Sequence, residues 1–331
     1  MPFSTLHRLT CAILTSAAVL IPASAHAQRA EGSFERTLTV AERPEVEIES
    51  GSGGIDVREG GAGRVEVRAQ IRAQDWGWRR GSYSVEERIK RIQANPPVAQ
   101  TGNVVRIGHI DDDDLRNGVS ITYEVILPAT SMLRSKSGSG SQRIEGVTGG
   151  VEATSGSGSI VVRRSGGRVR ASTGSGGITA DAIGGEFDAS TGSGSIAGTG
   201  IGGAIRAHTS SGSIEVTQTA AGDVDASSSS GSVRVRGVNG GVRASTSSGG
   251  LNIEGQMARE WRLSSSSGHV TVDVPGTQGM EVDANSNSGS IDVDFPVTVT
   301  GTMGKRTLRG SARGGGPLLH VRTSSGGISI Q

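Results

Sequence analysis

A short motif of small polar residues, a glycine and an aliphatic residue recurs through the second half of the chain at nearly constant spacing. In the stretch Ser190-Thr-Gly-Ser-Gly-Ser-Ile196 a glycine stands two residues before an isoleucine, and the same pair returns about every 18 residues. A second apolar residue precedes each of these glycines by seven positions. So regular a register is typical of stacked repeats and excludes a flexible linker. The aliphatic residues of the motif are Ile160, Ile178, Ile196, Ile214, Val233, Leu251, Val270, Ile291 and Ile328.

Each period contains two short segments, V-x-A and I-x-V, in which apolar and polar residues alternate. Alternation with a period of two predicts β-strands that bury one face. Strands this short are stable only when copies stack and bury a continuous core. The sequence therefore predicts an all-β fold, a β-solenoid of the parallel β-helix or β-roll type with coils of about 18 residues. Successive coils are expected to lie side by side, separated by ~4.8 Å as neighbouring strands are.

Stacking makes equivalent positions neighbours, so each position of the coil can be followed as a column. The middle residue of V-x-A alternates in charge over six coils, which favours in-register parallel stacking over a charged recognition stripe. A Ser or Thr three residues before each repeated glycine is expected to bond to the turn and to the neighbouring coil. The glycine itself is expected to supply a positive φ angle. The charged column runs Glu152, Arg170, Asp188, Arg206, Asp225, Arg243, Arg262 and Asp283.

The N-terminal segment has the features of a secretory signal. A basic start, an apolar run over residues 9–21 and small residues up to Ala27 predict a signal peptide over residues 1–27. The protein is then expected to be exported, in the periplasm, at the cell surface or secreted. The only cysteine, Cys11, lies in this segment, so no disulfide is expected in the mature chain. No later stretch is long and apolar enough for stable membrane insertion. With 33 basic and 32 acidic residues, the chain has no charge excess that would attract nucleic acid.

Two regions are expected after the signal peptide. Residues 28–130 form an N-terminal strand region with an insertion, and residues 131–331 form the Ser/Gly-rich solenoid. One further coil is predicted from residues 51–57 and 64–67, and a strand leading into the repeats from residues 118–128. A capping box at residues 84–87, with apolar residues on one helical face after it, predicts a short helix that caps the solenoid.

The repeats carry no arrangement that points to catalysis. Serine catalysis needs one activated hydroxyl beside a base, whereas the serines of the coils are equivalent and the histidines fall in different columns. Metal-ligand spacings, the aspartates of calcium-binding nonapeptide repeats and phosphate-binding glycine motifs are all missing from the sequence. The acidic run at residues 111–114 is interpreted as a solvated turn. We therefore predict no catalytic, metal-binding or cofactor-binding residues.

Two departures from the repeat are the candidate interaction surface. The tryptophans of the N-terminal insertion either pack in the cap or contact sugar. A basic loop over residues 301–317 falls where a regular coil is missing, and is either a solvated insertion or a contact for anionic envelope polymers. The candidate residues are Trp76, Trp78, Lys305, Arg306, Arg309 and Arg313.

The repeated S/T-x-S-G-x-[IV] and G-G-x-[IV]-x-A motifs, following a secretory signal, resemble the bacterial adhesin-like family of secreted β-strand-repeat domains of unknown function. The G-S-G-G-I-D-V and V-S-I-T-Y-E-V-I-L-P segments add to this resemblance, which covers most of the mature chain. It implies an extracytoplasmic β-solenoid that is adhesin-like or associated with envelope stress. No catalytic residues are assigned to the family, so the resemblance implies none here.

The sequence thus favours a non-enzymatic exported solenoid that acts as an adhesin-like interaction or structural protein, with an envelope protein or a glycan as its partner. Two alternatives stay open. One is a carbohydrate-active β-helix enzyme, which would need carboxylates gathered in one groove. The other is a regulatory envelope-stress component that binds a protein partner.

Overall fold

The computed structural model describes residues 29–74, 83–299 and 304–331. Within these ranges the chain forms 27 strands and two short helices, and one continuous cluster of buried apolar side chains runs through them. The alternating segments of the repeats bury every second residue, as the period of two predicts. The all-β solenoid is therefore confirmed. The signal segment, residues 1–27, and the two tryptophans Trp76 and Trp78 lie outside the described residues.

Each coil has two strands joined by a tight Ser/Gly turn, and we call the sheet built from the first strands face A. In spatial order, face A consists of β6 (Val104–Ile107), β2 (Glu45–Ser50), β8 (Met132–Ser137), β10 (Val151–Ser155), β12 (Val169–Thr173), β14 (Phe187–Thr191), β16 (Ile205–Thr209), β18 (Val224–Ser228), the second halves of β19 (Val233–Thr246) and β20 (Leu251–Ser265), β26 (Leu318–Thr323) and β22 (Met280–Ser286).

The second strands of the coils form the opposite sheet, face B. In spatial order, face B consists of β7 (Val119–Pro128), β3 (Ile55–Gly60), β9 (Gln142–Glu145), β11 (Ile160–Ser165), β13 (Ile178–Ile183), β15 (Ile196–Ile201), β17 (Ile214–Gln218), the first halves of β19 and β20, β21 (Val270–Asp273), β27 (Ile328–Ile330) and β23 (Ile291–Val293).

The coils of the central repeats stack parallel and in register. Val169 pairs with Phe187 and Phe187 with Ile205 on face A, so equivalent residues of successive coils are direct neighbours. Phe187 and Trp261 are fully buried in the inward column of this face. Equivalent residues of the central repeats therefore lie side by side in columns, as the sequence predicted.

At the C-terminal end, the spatial order of the coils differs from their order in the sequence. The last coil, β26 and β27, lies between the coil of residues 261–273 and the coil of residues 280–293. Leu319 pairs with both Trp261 and Val282, and Ile328 pairs with both Val270 and Ile291. The expectation that sequential coils are always neighbours is wrong here.

The residues between the last two coils explain this insertion. They form β24 (Val297–Val299) and β25 (Thr307–Ala312), and β25 pairs antiparallel with both β22 and β24. The chain thus turns back and pairs β25 with the edge of β22 that faces the end of the solenoid. Its last coil then pairs with the opposite edge of β22, next to β20. The basic loop expected over residues 301–317 is wrong for residues 307–312, which are a strand of this terminal sheet.

The N-terminal end has a comparable arrangement. The coil of β2 and β3 lies between the coil of β6 and β7 and the coil of β8 and β9. β1 (Arg29–Thr39) and β4 (Arg64–Gln74) extend face B as antiparallel strands, and β5 (Val98–Thr101) extends face A. The coil predicted near residue 51 is confirmed for β3, whereas residues 64–67 belong to antiparallel β4 and not to a coil.

The predicted helix is confirmed as α1 (Val85–Ala94). The Ser84 side chain caps it by accepting a hydrogen bond from the Glu87 amide. Its apolar face buries Val85, Ile89 and Ile92 in the common core, and Gln93 donates to the carbonyl oxygen of Ser33 on β1. A second helix, α2 (Asp113–Arg116), replaces the solvated turn that was expected over the acidic run.

The Ser/Gly turn is held together by a buried column of hydroxyl groups. In each central coil the hydroxyl accepts from the repeated glycine of its own turn and donates to the glycine carbonyl of the neighbouring coil. For Thr191 these bonds are 3.1 Å from the Gly194 amide and 2.9 Å to the Gly176 oxygen. The prediction that these hydroxyls bond to turn and neighbour is confirmed.

The repeated positions require glycine because the neighbouring coil leaves no space for a side chain. The prediction that these glycines have positive φ angles is wrong. A methyl carbon placed on Gly194 would lie 1.9 Å from the Gly176 carbonyl oxygen, closer than any side chain can approach. Positive φ angles occur at the other corner of the coil, after the second strand, at Gly146, Arg164, Ala182, Gly200 and Gly237. The turn therefore needs glycine because stacked backbones nearly touch there.

Candidate interaction surface

The outward residues at the centre of face A form one ladder of charged side chains along the solenoid. Because the strands are in register, each member lies beside the next, about 4.8 Å away. The ladder extends at both ends beyond the coils in which the sequence showed it. In spatial order it runs Arg106, Glu47, Arg134, Glu152, Arg170, Asp188, Arg206, Asp225, Arg243, Arg262, His320, Asp283 and Arg309.

Over most of its length the ladder alternates in sign, and several of its neighbouring members form ion pairs. Arg106 and Glu47 are 2.9 Å apart, Arg134 lies 3.6 Å from Glu152, and Arg170 lies 3.7 Å from Asp188. These pairs are exposed, so each stabilises the fold by less than about 1 kcal/mol. The alternation therefore supports parallel register at each step of the stack, as the sequence indicated.

The alternation fails at one place. Arg243 lies beside Arg262, and Arg262 lies beside His320, which is in turn beside Asp283. We call Arg243, Arg262 and the neighbouring His320 the cationic run, after its two arginines. Successive coils place Arg243 beside Arg262, and the entry of β26 between β20 and β22 adds His320, since sequential stacking would have placed Arg262 directly beside Asp283.

Two carboxylates beside the cationic run, Glu260 and Asp283, are already engaged. Glu260 accepts two hydrogen bonds from Arg262, at 2.8 and 3.1 Å. Hydrogen bonding to Arg262 lowers the pKa of Glu260 below its ordinary value and raises the pKa of Arg262. Asp283 lies 3.2 Å from Arg309, 3.4 Å from Arg322 and 3.5 Å from His320. Within the described ranges, Arg243 has no carboxylate at ion-pair distance.

A groove of about 700 Å³ lies beside the cationic run on face A. Its lining includes four small residues, Ala204, Ala221, Gly222 and Gly241. The walls carry both signs of charge, and Arg259 pairs with Asp223 at 2.7 Å across them. Its charged lining residues are Arg206, Arg243, Arg259, Arg262, Asp223, Asp225 and Glu260.

Residues 167–331 match the model of the family described as Toastrack DUF4097. The chain carries a Toastrack domain. The match spans the coils from β12 onward, about half of the chain, and includes the groove and the cationic run. It confirms the resemblance to a β-strand-repeat family of unknown function.

Two solved structures are similar to the Toastrack chain over most of its length. One is described as a putative adhesin from Bacteroides fragilis; it is 12% identical, with 91% of this chain and 97% of that chain covered and a TM-score of 0.38. The other is described as a putative cell adhesion protein from Clostridium sporogenes; it is 11% identical, with 90% and 99% covered and a TM-score of 0.21. No curated protein matches the chain.

A second concavity of about 750 Å³ lies at the N-terminal end, outside the Toastrack match. Its walls include Glu31 and Arg72, which form an ion pair of 3.4 Å, and its floor includes Tyr123. The Tyr123 hydroxyl is buried and has no hydrogen-bond partner in the described part of the chain, and burial raises its pKa. Gln74, at the edge of this cleft, immediately precedes the segment that holds Trp76 and Trp78.

The four basic residues that the sequence singled out have different surroundings in the structure. Arg309 joins the charge ladder beside Asp283, and the guanidinium of Arg313 lies 4.2 Å from the centre of the Phe295 ring and donates to two backbone carbonyls. Lys305 and Arg306 are exposed at the end of the solenoid. Only Arg309 therefore lies near the cationic run, whose two arginines, Arg243 and Arg262, the sequence analysis placed in a purely structural column.

The described residues hold no group of three or more potential metal-ligating side chains. Neither of their helices is long and apolar enough to cross a membrane. His208, His269 and His320 lie apart, as their columns predicted: His208 bonds to Ser227, and His320 accepts from Arg322.

Proposed function

We propose that the protein is an exported, non-enzymatic solenoid that acts as an adhesin-like interaction protein of the cell surface or envelope. The secretory features of residues 1–27 support export to the periplasm, the surface or the medium. A rigid stack of coils presents a long, regular surface, which suits attachment to extended molecules.

The observation that carries this proposal is the charge ladder of face A. It is continuous from Arg106 to Arg309, and four of its carboxylates, Glu47, Glu152, Asp188 and Asp283, are engaged with neighbouring cations. A glycosidase needs two carboxylates facing each other across a groove, one of them kept protonated. Glu260, in the groove, is instead held in its ionised form by Arg262, which suits a binding surface.

Export can be tested by fractionating cells that express the full chain and a variant lacking residues 1–27. The full chain is expected outside the cytoplasm, shortened at its N-terminus, whereas the variant is retained in the cytoplasm. Recovery of the full-length, uncleaved chain in the cytoplasm would contradict the proposal.

Binding can be tested with purified residues 28–331 on a glycan array and against isolated envelope polymers. Saturable binding without release of reducing sugar ends is the expected result. Release of sugar ends that follows enzyme concentration would favour the carbohydrate-active alternative, and exclusive binding to one envelope protein would favour the regulatory one.

A further inference from the structure

The cationic run breaks a rule that the rest of face A obeys. Like charges directly opposite each other on neighbouring strands destabilise a sheet, and the ladder avoids them at every step from Arg106 to Arg243. Placing Arg243 beside Arg262 therefore destabilises the sheet locally, and no structural contact of the pair in the described part of the chain compensates for this. Local departures from an otherwise consistent pattern are expected at functional sites.

We propose that the cationic run and the adjoining groove bind a linear polysaccharide that carries carboxylate groups. This assignment rests on the proposed function, since it names the ligand and the site of the same surface. The guanidinium groups of Arg243 and Arg262 bind the carboxylates, and the groove holds the sugar rings between them.

The charge balance of the site leaves guanidinium groups for a ligand. Around the run, the four arginines Arg243, Arg262, Arg309 and Arg322 face three carboxylates: Glu260 and Asp283 are engaged in ion pairs, and Asp225 lies beside Arg243 on the neighbouring strand. The Arg262 side chain is 57% exposed and Arg243 is exposed, so a ligand reaches both without rearrangement of the strands. Arginine presents a planar pair of donors that matches a carboxylate in a bidentate contact.

The spacing of the run fits a polymer better than a single small anion. Neighbouring strands place successive side chains about 4.8 Å apart, which is similar to the length of a sugar ring. Ser245 and Ser264 form a parallel row of hydroxyls on the same strands, next to Arg322. A chain of sugars lying along the stack therefore meets cations and hydroxyl groups at each step.

The groove favours a polysaccharide over a nucleic acid. Its walls include Asp223, Asp225 and Glu260, which repel a dense row of phosphates but accept hydrogen bonds from sugar hydroxyls. The lining residues of the groove include no aromatic side chain on which bases could stack. One charge per sugar, separated by hydroxyls, matches this mixed surface.

The test measures binding of residues 28–331 to polygalacturonate at low ionic strength, with fully methyl-esterified polygalacturonate as the uncharged counterpart. The double variant Arg243→Gln with Arg262→Gln is expected to weaken binding by about tenfold or more. Arg170→Gln removes one arginine from the alternating part of the same ladder and is expected to change affinity by less than about twofold. Glu260→Gln frees Arg262 and is expected to strengthen binding.

Three results would overturn the assignment: equal losses in the double variant and Arg170→Gln, equal affinity for the esterified polymer, or tighter binding to oligothymidylate than to polygalacturonate. The same experiments distinguish failure of this site from failure of the proposed function. If the exported protein binds a neutral glycan or an envelope protein with unchanged affinity in the double variant, the interaction role stands and this site is wrong. Melting temperatures of all variants within a few degrees of the parent show that the fold is intact.

Discussion

Gly176 and Gly177 are adjacent in the chain, but their surroundings differ. A methyl carbon on Gly176 would lie 2.2 Å from the Gly158 carbonyl oxygen of the neighbouring coil, whereas one on Gly177 would come no closer than 3.5 Å to the Ser195 oxygen. Neither residue has a positive φ angle. The first glycine is thus required by the contact between coils, and the second is not.

Gly176→Ala is expected to destabilise the fold by about 2 kcal/mol or more, because two stacked backbones must separate to admit the methyl group. Gly177→Ala is the matched control and is expected to be neutral or slightly stabilising. Urea denaturation of both variants measures the difference. Equal effects of the two substitutions would contradict the crowding argument.

Thr191→Val tests the buried hydroxyl column. Valine has nearly the same shape but leaves the Gly194 amide and the Gly176 carbonyl without the bonds that Thr191 provides. The expected loss is about 1–3 kcal/mol of unfolding free energy, the cost of buried polar groups left unpaired. Thr191→Ser keeps the hydroxyl and should retain most of the stability, as Ser155 and Ser228 do at equivalent positions. If the serine variant loses as much unfolding free energy as the valine variant, the methyl group of Thr191 and not its hydroxyl stabilises the turn.

The pH response of His109 can also be predicted. Its Nδ1 is 3.3 Å from Glu49 and its Nε2 is 3.0 Å from Asp111, and the hydrogen bond to Glu49, followed by the charge of Asp111, raises its pKa above the ordinary 6.5. The stabilising contribution is therefore complete below pH 6.5 and is lost as the pH rises through the folded-state pKa. An NMR titration of the imidazole should show this higher pKa, and Glu49→Gln should lower it. Glu47→Gln, on the same strand but paired with Arg106, should leave the titration unchanged.

At the scale of strands and helices, the elements that carry a repeated sequence pattern or a capping motif could be predicted. The elements that lack such a pattern could not. Alternation identified the strands of the central coils, and the capping box at Ser84 identified α1. β25 was missed because T-L-R-G-S-A lacks the glycine turn of the repeats, and antiparallel pairing leaves no signal of fixed spacing. The sequence column already placed Arg243 beside Arg262, but the position of His320 was missed because sequential stacking places Arg262 beside Asp283.

Deletion of residues 318–331 tests the inserted coil. It removes the strands that lie between β20 and β22 and between β21 and β23, so residues 280–317 lose their main contact with the stack. We expect rapid proteolysis confined to residues 280–317, with the coils up to residue 273 protected. Had the coils stacked in sequence order, the deletion would only shorten the end and leave residues 280–293 protected.

At the scale of the whole molecule, additional strands and a helix cover the two ends of the solenoid. Antiparallel strands and α1 cover the N-terminal end, and β24 and β25 cover face A at the C-terminal end, which limits pairing with other chains. The whole chain is nearly neutral. The proposed binding site therefore depends on the local order of charges: successive coils place Arg243 beside Arg262, and the inserted coil places His320 between Arg262 and Asp283.

Disulfide trapping measures this coil order directly, since the chain from residue 28 contains no cysteine. Arg262→Cys with His320→Cys places two thiols on neighbouring strands, within the Cα separation of about 4.4–6.8 Å that a disulfide allows. Arg262→Cys with Asp283→Cys places them two strands apart, at about 9.6 Å. Mild oxidation should link residues 262 and 320 in nearly all molecules and leave residues 262 and 283 unlinked. Efficient linkage of 262 to 283, without linkage of 262 to 320, would contradict the inserted coil and the place of His320 in the cationic run.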